Sequence, residues 1–233
     1  MPILGRAALL ALLASSSAVL FAAAPTPADW VKWFSDDFED GTSRRWRPGG
    51  PSSPQAGWTI EKDGGNTVFA GLGGAAVRPK VGRGTDYRLK SRVKVIRGAL
   101  HLSVRADCTG YFVGLVPNRM YLGRTRPCGQ QQQSELRSVA EPIQLNRWYT
   151  VEIVATGSDI QVYLDDALKI SFTDENPVWV GDVILNAFGP NSYVQVDDVE
   201  VTGPPSSPGA LRIRDIGIAD AVMGVPFSYQ LSA

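Results

Sequence analysis

The sequence predicts an all-β protein, on three observations. Apolar and polar residues alternate over short runs, Gly and Pro punctuate those runs, and no segment reads as a long amphipathic helix. In 87–95, Tyr87, Leu89, Ser91, Val93 and Val95 take one face, and Arg88, Lys90, Arg92 and Lys94 the other. In 100–106, Leu100, Leu102, Val104 and Ala106 oppose His101, Ser103 and Arg105. Runs 148–155 and 159–166, joined by Thr156-Gly157-Ser158, read as a hairpin, and Asp165-Asp166 turns the chain into 168–172. Runs 180–188 and 193–201, with Gly189-Pro190-Asn191 between them, close the pattern. Many short strands at close spacing predict a two-sheet antiparallel sandwich.

The N-terminus has a different character. Arg6, the apolar stretch 7–21 and Ala22-Ala23-Ala24 follow the plan of a secretory signal, so 1–24 is read as a signal peptide. The apolar stretch is shorter than the ~20 residues that span a bilayer, and no other segment is apolar enough to do so. The mature chain is therefore expected outside the cytoplasm, secreted or at the cell surface, with no transmembrane segment after signal cleavage. Positive and negative side chains balance at 23 each, which gives no electrostatic case for a nucleic-acid partner.

Cys108 and Cys128 flank the runs 110–117 and 120–125. Folding that hairpin about Asn118 places positions summing to 236 opposite each other, and the two cysteines form such a pair. A disulfide there would close the open end of the hairpin, worth about 3 kcal/mol on the loop-entropy account. Zinc is the poorer reading, since two cysteines without a nearby His make no site.

Residues 203–210, GPPSSPGA, read as a linker after a main domain at 30–202. The order of the pieces in that domain resembles the concanavalin A-like lectin/glucanase superfamily, in particular its laminin-G-like and 3-keto-disaccharide hydrolase-like jelly rolls. The segments that carry the resemblance are Phe34-Ser35-Asp36-Asp37-Phe38-Glu39-Asp40-Gly41 with Trp46, Asn146-Arg147-Trp148-Tyr149, Ile160-Gln161-Val162-Tyr163-Leu164-Asp165-Asp166, and Val196-Asp197-Asp198-Val199-Glu200-Val201. Residues 218–231 are similar to the first strands of bacterial putative Ig-like repeats, so 211–233 is expected to be the truncated start of an Ig-like domain. So short a stretch buries no core of its own, and the chain is expected to be a piece of a longer protein.

The resemblance implies a jelly roll with a glycan or polysaccharide as partner. Relatives that hydrolyse glycans place Glu-x-Asp-x-Glu on one strand, where alternate carboxylates share a face. The nearest approach here, Glu61-Lys62-Asp63-Gly64-Gly65, lacks the last carboxylate and carries a turn-forming glycine pair. The leading expectation is a non-catalytic carbohydrate-binding or adhesion module; the alternative is an oligosaccharide-acting hydrolase of the keto-disaccharide or glucanase type.

Arg105 matches an arginine of the groove in such relatives, and His101 and Arg92 extend the polar row beside it. Tyr111 and Trp179 are candidate aromatic platforms, and Tyr121 flanks the same hairpin. Trp58 and Trp148, which begin strands, are assigned to the core, and Trp30 and Trp33 to either role. An arginine-rich row would favour anionic or hydroxyl-rich glycans. The bland reading of such a row is a solvated strand face. Asp37, Glu39 and Asp197 are candidate oxygen ligands for a structural calcium joining the first and last strands.

Overall fold

The computed structural model describes residues 29–49, 57–125 and 133–205. The signal segment, most of the linker, the Ig-like start and Cys128 lie outside the described residues. Within them the chain is nearly all strand, as its alternation requires, and no helix among the described residues is long and apolar enough to cross a membrane.

Among the described residues thirteen antiparallel strands form one hydrogen-bonded sheet that folds back on itself. They are β1 (Val31–Asp36), β2 (Trp46–Pro48), β3 (Trp58–Asp63), β4 (Asn66–Leu72), β5 (Ala76–Pro79), β6 (Tyr87–Ala106) and β7 (Gly110–Val116). There follow β8 (Arg119–Thr125), β9 (Gln133–Val139), β10 (Trp148–Thr156), β11 (Asp159–Leu164), β12 (Ala167–Thr173) and β13 (Asp182–Gly203).

The two long strands make the fold. The first half of β6 pairs with β10 and with the second half of β13; its second half pairs with β7 and with the first half of β13. Leaf 1 thus runs β3-β4-β13-β6-β10-β11-β12, with β1 also against β13, and leaf 2 runs β2-β5-β13-β6-β7-β8-β9. Side chains of both leaves, among them Leu89, Val93, Val151 and Val196 facing Leu102, Val113, Leu122 and Leu185, meet in one buried cluster. Each leaf therefore has one dry face and one outer face, the arrangement of a β-sandwich.

The sequence breaks these two strands where the chain carries them through. Residues 87–95 and 100–106 belong to the single 20-residue β6, and the run 180–188 from Asp182 onward, together with 193–201, to the single 22-residue β13. Gly98, at φ 76°, takes the bend in β6. Opposite it the β13 register jumps between Phe188 and Tyr193, so Gly189-Pro190-Asn191 forms a bulge and not a turn. The Ser192 hydroxyl accepts from the Ala99 amide and donates to the Phe188 carbonyl, and Arg97 Nε donates to the Asn191 carbonyl, which fixes the corner. The inward parity of β6 accordingly changes there, from Leu89, Ser91, Val93 and Val95 to Leu100, Leu102 and Val104.

Two hairpins follow the sequence reading: Thr156 pairs with Asp159 around Gly157-Ser158, and Leu164 with Ala167 around Asp165-Asp166, both at positive φ. The β7–β8 hairpin is one residue out. Val116 faces Arg119 across Pro117-Asn118, with Asn118 at φ 63°, so opposed positions sum to 235. A two-residue loop replaces the expected one centred on Asn118. Position 108 therefore lies past the ladder, which ends at Gly110↔Thr125; Cys108 is not a free cysteine there.

Candidate groove on leaf 2

The candidate site lies on the outer face of leaf 2. Along β13, Val183, Leu185 and Ala187 are buried in the core, which turns Ile184, Asn186 and Phe188 to the other side. Opposite them His101 pairs with Asn186 and Ser103 with Ile184; on β7, Phe112 pairs with Ser103 and Gly114 with His101. A cavity of ≈ 390 Å³ crosses this face, lined by Gly49 after β2, Ala76 of β5, Asn186 of β13, His101 of β6, Phe112 of β7, Thr125 of β8 and Gln133 of β9. Every strand of the leaf, or the residue at its end, contributes, so the groove runs across the strands.

Its floor is built from rings. His101 is only 2% exposed and lies between two phenyl rings, 3.9 Å from Phe188 at 14° and 4.5 Å from Phe112 at 23°. Its Nε2 is 2.8 Å from the Tyr121 hydroxyl. Burial pushes the imidazole down to about 4, so it is neutral at physiological pH. Two glycines make room for the neighbours. A Cβ on Gly123 would stand 2.2 Å from Cζ of Phe112, and one on Gly114 would stand 2.3 Å from Cζ of Tyr121. Phe188 is 39% exposed and is not itself part of the cavity lining, so the stack ends beside the groove in a ring open to solvent.

Among the described residues that line the cavity there is no lysine or arginine, and one carboxylate, Asp107, which is held by Arg83 at 2.8 Å. The polar groups are otherwise uncharged: His101, Ser103, Asn186, Gln133 and Thr125. The Oδ1 of Asn186 is buried without a hydrogen-bond partner. Glu152 Oε1, Gln195 Oε1 and Thr202 Oγ1 on the outer face of leaf 1 share that state.

The site residues read from the sequence are scattered. His101 and Tyr111 both line the cavity. Tyr111 nonetheless points its ring into the core, and its hydroxyl donates to Asp174 at 2.7 Å and accepts from the Val178 amide at 3.0 Å. Burial, first, and the Asp174 contact raise that phenol to about 12.

Arg105 is not on the groove surface. At φ 50° it leaves the alternation of His101 and Ser103 and is 0% exposed. Its guanidinium donates to the carbonyls of Thr85 (2.7 Å), Gly157 (2.7 Å) and Val178 (3.0 Å) and meets Asp86 at 3.3 Å. The residue stitches three connecting segments together. Trp179 is 48% exposed in the segment before β13 and is not part of the cavity lining.

Arg92 belongs to the other leaf. The row Arg88, Lys90, Arg92, Lys94 covers the outer face of leaf 1, where carboxylates answer it. Arg88 meets Glu200 (2.9 Å), Lys90 meets Glu152 (3.7 Å) and Asp166 (3.8 Å), Arg92 meets Asp197 (3.3 Å) and Asp198 (3.4 Å), and Lys94 meets Asp63 (2.7 Å). Trp148, assigned above to the core, lies half-buried on this face, with Arg92 and Lys94 over its ring and Nε1 donating to Asp63. Its position opposite Lys94 gives it the outward parity of that row. Trp58 is in the core, Trp33 packs on its edge, and Trp30 covers Val154 and Tyr163 on leaf 1.

The three candidate calcium ligands each accept hydrogen bonds within the chain. Glu39 accepts from the Thr67 amide and hydroxyl, Asp37 from the Glu39 amide, and Asp197 from Asn66 at 2.7 Å. Desolvation raises the pKa of Asp197, against its hydrogen bonds and Arg92. Among the described residues no three His, Cys, Asp or Glu side chains gather as a metal site.

Sequence reasoning missed Phe112, Asn186 and Phe188. The alternation of 180–188 carried the signal for the last two, since Ile184, Asn186 and Phe188 share the parity opposite to Leu185 and Ala187.

No protein-family profile and no curated protein matches the chain. Solved structures do match. A carbohydrate-binding module, CBM66, from Bacillus subtilis superposes with a TM-score of 0.55 at 19% identity, over 68% of this chain and 96% of that one. A non-specific endo-β-1,3(4)-glucanase of family GH16 gives 0.56 at 13% identity, over 78% and 94%. The Bacteroides ovatus mixed-linkage glucan GH16 protein gives 0.53 at 14% identity, over 72% and 99%. At these identities the likeness concerns the fold alone, an antiparallel β-sandwich of the jelly-roll kind.

Proposed function

We propose that the chain is a secreted or cell-surface carbohydrate-recognition module that holds an uncharged glycan across the outer face of leaf 2 without cleaving it. The observation that carries this reading is the groove itself: a strand-crossing channel floored by His101 and Phe112, with Phe188 stacked beside it, and lined by uncharged polar groups among which Asn186 Oδ1 is an acceptor. Sugars offer hydroxyl donors for such an acceptor and apolar C–H faces for rings, and specific sites combine the two. An anionic glycan would bring charge to a lining without a cation among its described residues. Among its described residues that lining supplies no carboxylate pair at the spacing that glycoside hydrolysis needs. The extracellular location and a Cys108–Cys128 bridge belong to this reading, since disulfides persist in oxidising compartments.

Calorimetric titration against soluble mixed-linkage β-glucan, other neutral polysaccharides and an anionic polysaccharide tests it, with reducing-end release assayed in parallel. Binding to a neutral member without release of ends is the expected result. Release of ends would establish the hydrolase reading instead, and selective binding of the anionic member would reject the uncharged-glycan reading.

A further inference from the structure

We propose that Phe188, His101 and Phe112 act as one stacked platform, on which Phe188 receives the apolar face of a sugar ring while the neutral imidazole of His101 holds the phenyl rings parallel. This rests on the glycan reading above and names the contact that reading requires.

The geometry argues for a unit. Three rings follow one another on adjacent strands β13, β6 and β7, at 3.9 Å and 4.5 Å with interplanar angles of 14° and 23°. Phe112 is additionally wedged against Gly123, and Tyr121 fixes the imidazole edge at 2.8 Å. The outermost ring of this stack is exposed next to the cavity lining, to which Asn186, two residues earlier on the same strand and face, belongs. A phenyl ring exposed at the end of a clamped stack loses little freedom when it is covered, which favours its use as a binding surface. A pyranose with its C–H groups on one side fits such a ring; a charged group does not need it.

The clamp also gives the site a pH limit. The groups facing His101 from the surrounding strands are Phe112 and Gly114 on β7, Asn186 and Phe188 on β13, and Tyr121 on β8. The nearby charges are paired: Arg119 over the Tyr121 ring with Glu135, Asp107 with Arg83, and Arg78 with Asp182. Among the described residues no carboxylate touches the imidazole to stabilise its charged form. Desolvation keeps it neutral down to about pH 4, and below that the imidazolium must seek water and part the rings.

The test uses soluble mixed-linkage β-glucan and a panel of neutral oligosaccharides, with the full chain and Phe188→Ala, Phe188→Tyr and His101→Gln. The platform predicts that Phe188→Ala weakens binding about tenfold or more, that Phe188→Tyr restores it to within about threefold, and that wild-type affinity is level from pH 8 to 5 and falls near pH 4. Since the chain has 1 histidine, its imidazole NMR signal reports the titration without ambiguity, even if His101→Gln folds poorly. Phe188→Ala binding within about twofold of wild type, or an imidazole titrating near its ordinary 6.5, would overturn the platform while leaving the glycan reading intact. Failure of the wild-type protein to bind any probe would overturn both.

Discussion

The two outer faces of this sandwich use opposite chemistry. Leaf 1 shows the row of basic side chains most visible in the sequence, and leaf 2 a nearly uncharged channel floored by rings. On leaf 1 each member of that row has a carboxylate within 4.0 Å, so the row holds strands to one another. On leaf 2 a phenyl ring stays exposed, whereas buried acceptors without a partner among the described residues occur on both faces, Asn186 Oδ1 on leaf 2 and Glu152 Oε1, Gln195 Oε1 and Thr202 Oγ1 on leaf 1. A charged side chain is costly to leave unpaired and therefore finds its partner within the chain; an aromatic face or an amide can remain available to a ligand at lower cost.

Substitutions can break or sharpen this contrast. The largest effect is expected at Arg105. Arg105→Met strands three backbone carbonyls and the Asp86 contact, and should lower unfolding free energy by about 3–5 kcal/mol in a denaturant titration. Glycan affinity of the folded fraction should hold. A loss of affinity at unchanged stability would return Arg105 to the binding surface.

A pH effect on stability follows from His101. Its folded pKa, about 4, lies below the ordinary 6.5. The unfolded chain therefore takes up the proton first as pH falls. The histidine contribution is fully present above pH 6.5, is lost between 6.5 and 4, and levels off below 4. Carboxylates titrate in part of that window, so the measured quantity is the difference between the wild-type curve and that of His101→Gln. A flat difference would contradict the buried neutral imidazole.

Gly123→Ala should cost about 1–3 kcal/mol, because the new Cβ meets the Phe112 ring, and should weaken glycan binding by tilting the stack. Asn186→Ala removes an unpaired oxygen, so stability should stay within about 1 kcal/mol of wild type while affinity falls about tenfold. The smallest effect is expected at Arg92, whose side chain is 40% exposed. Arg92→Ala should change stability by less than about 1 kcal/mol and leave affinity unchanged. Reversal of those last two results would exchange the roles of the leaves.

The sequence carried the strand faces and little about their partners. The alternation of 87–95 gave the correct outer row on leaf 1, and the turns at Gly157-Ser158 and Asp165-Asp166 fell where they were read. What stayed hidden came from long-range pairing. The parity change at Gly98 sends Arg92 and His101 to opposite sides of the sandwich although nine positions separate them on one strand. A local pattern cannot report a corner whose cause, the Ser192 and Arg97 contacts, lies almost a hundred residues away. Arg105 failed for a related reason: alternation assigns a direction to each side chain, and a positive φ at that residue cancels it. The β7–β8 register missed by one because Pro117-Asn118 forms a two-residue loop. The groove was legible only in part, since His101 was read from its row whereas Phe188 was concealed among apolar neighbours.

The measurement that bears most directly on the leaf 2 site is a chemical-shift titration of the isotope-labelled chain with a neutral oligosaccharide that binds it. The account predicts that the largest shifts fall on His101, Phe112, Asn186 and Phe188, with Arg92 and Lys94 unmoved. Shifts concentrated on Arg88, Arg92 and Lys94, with the His101 imidazole unchanged, would contradict it.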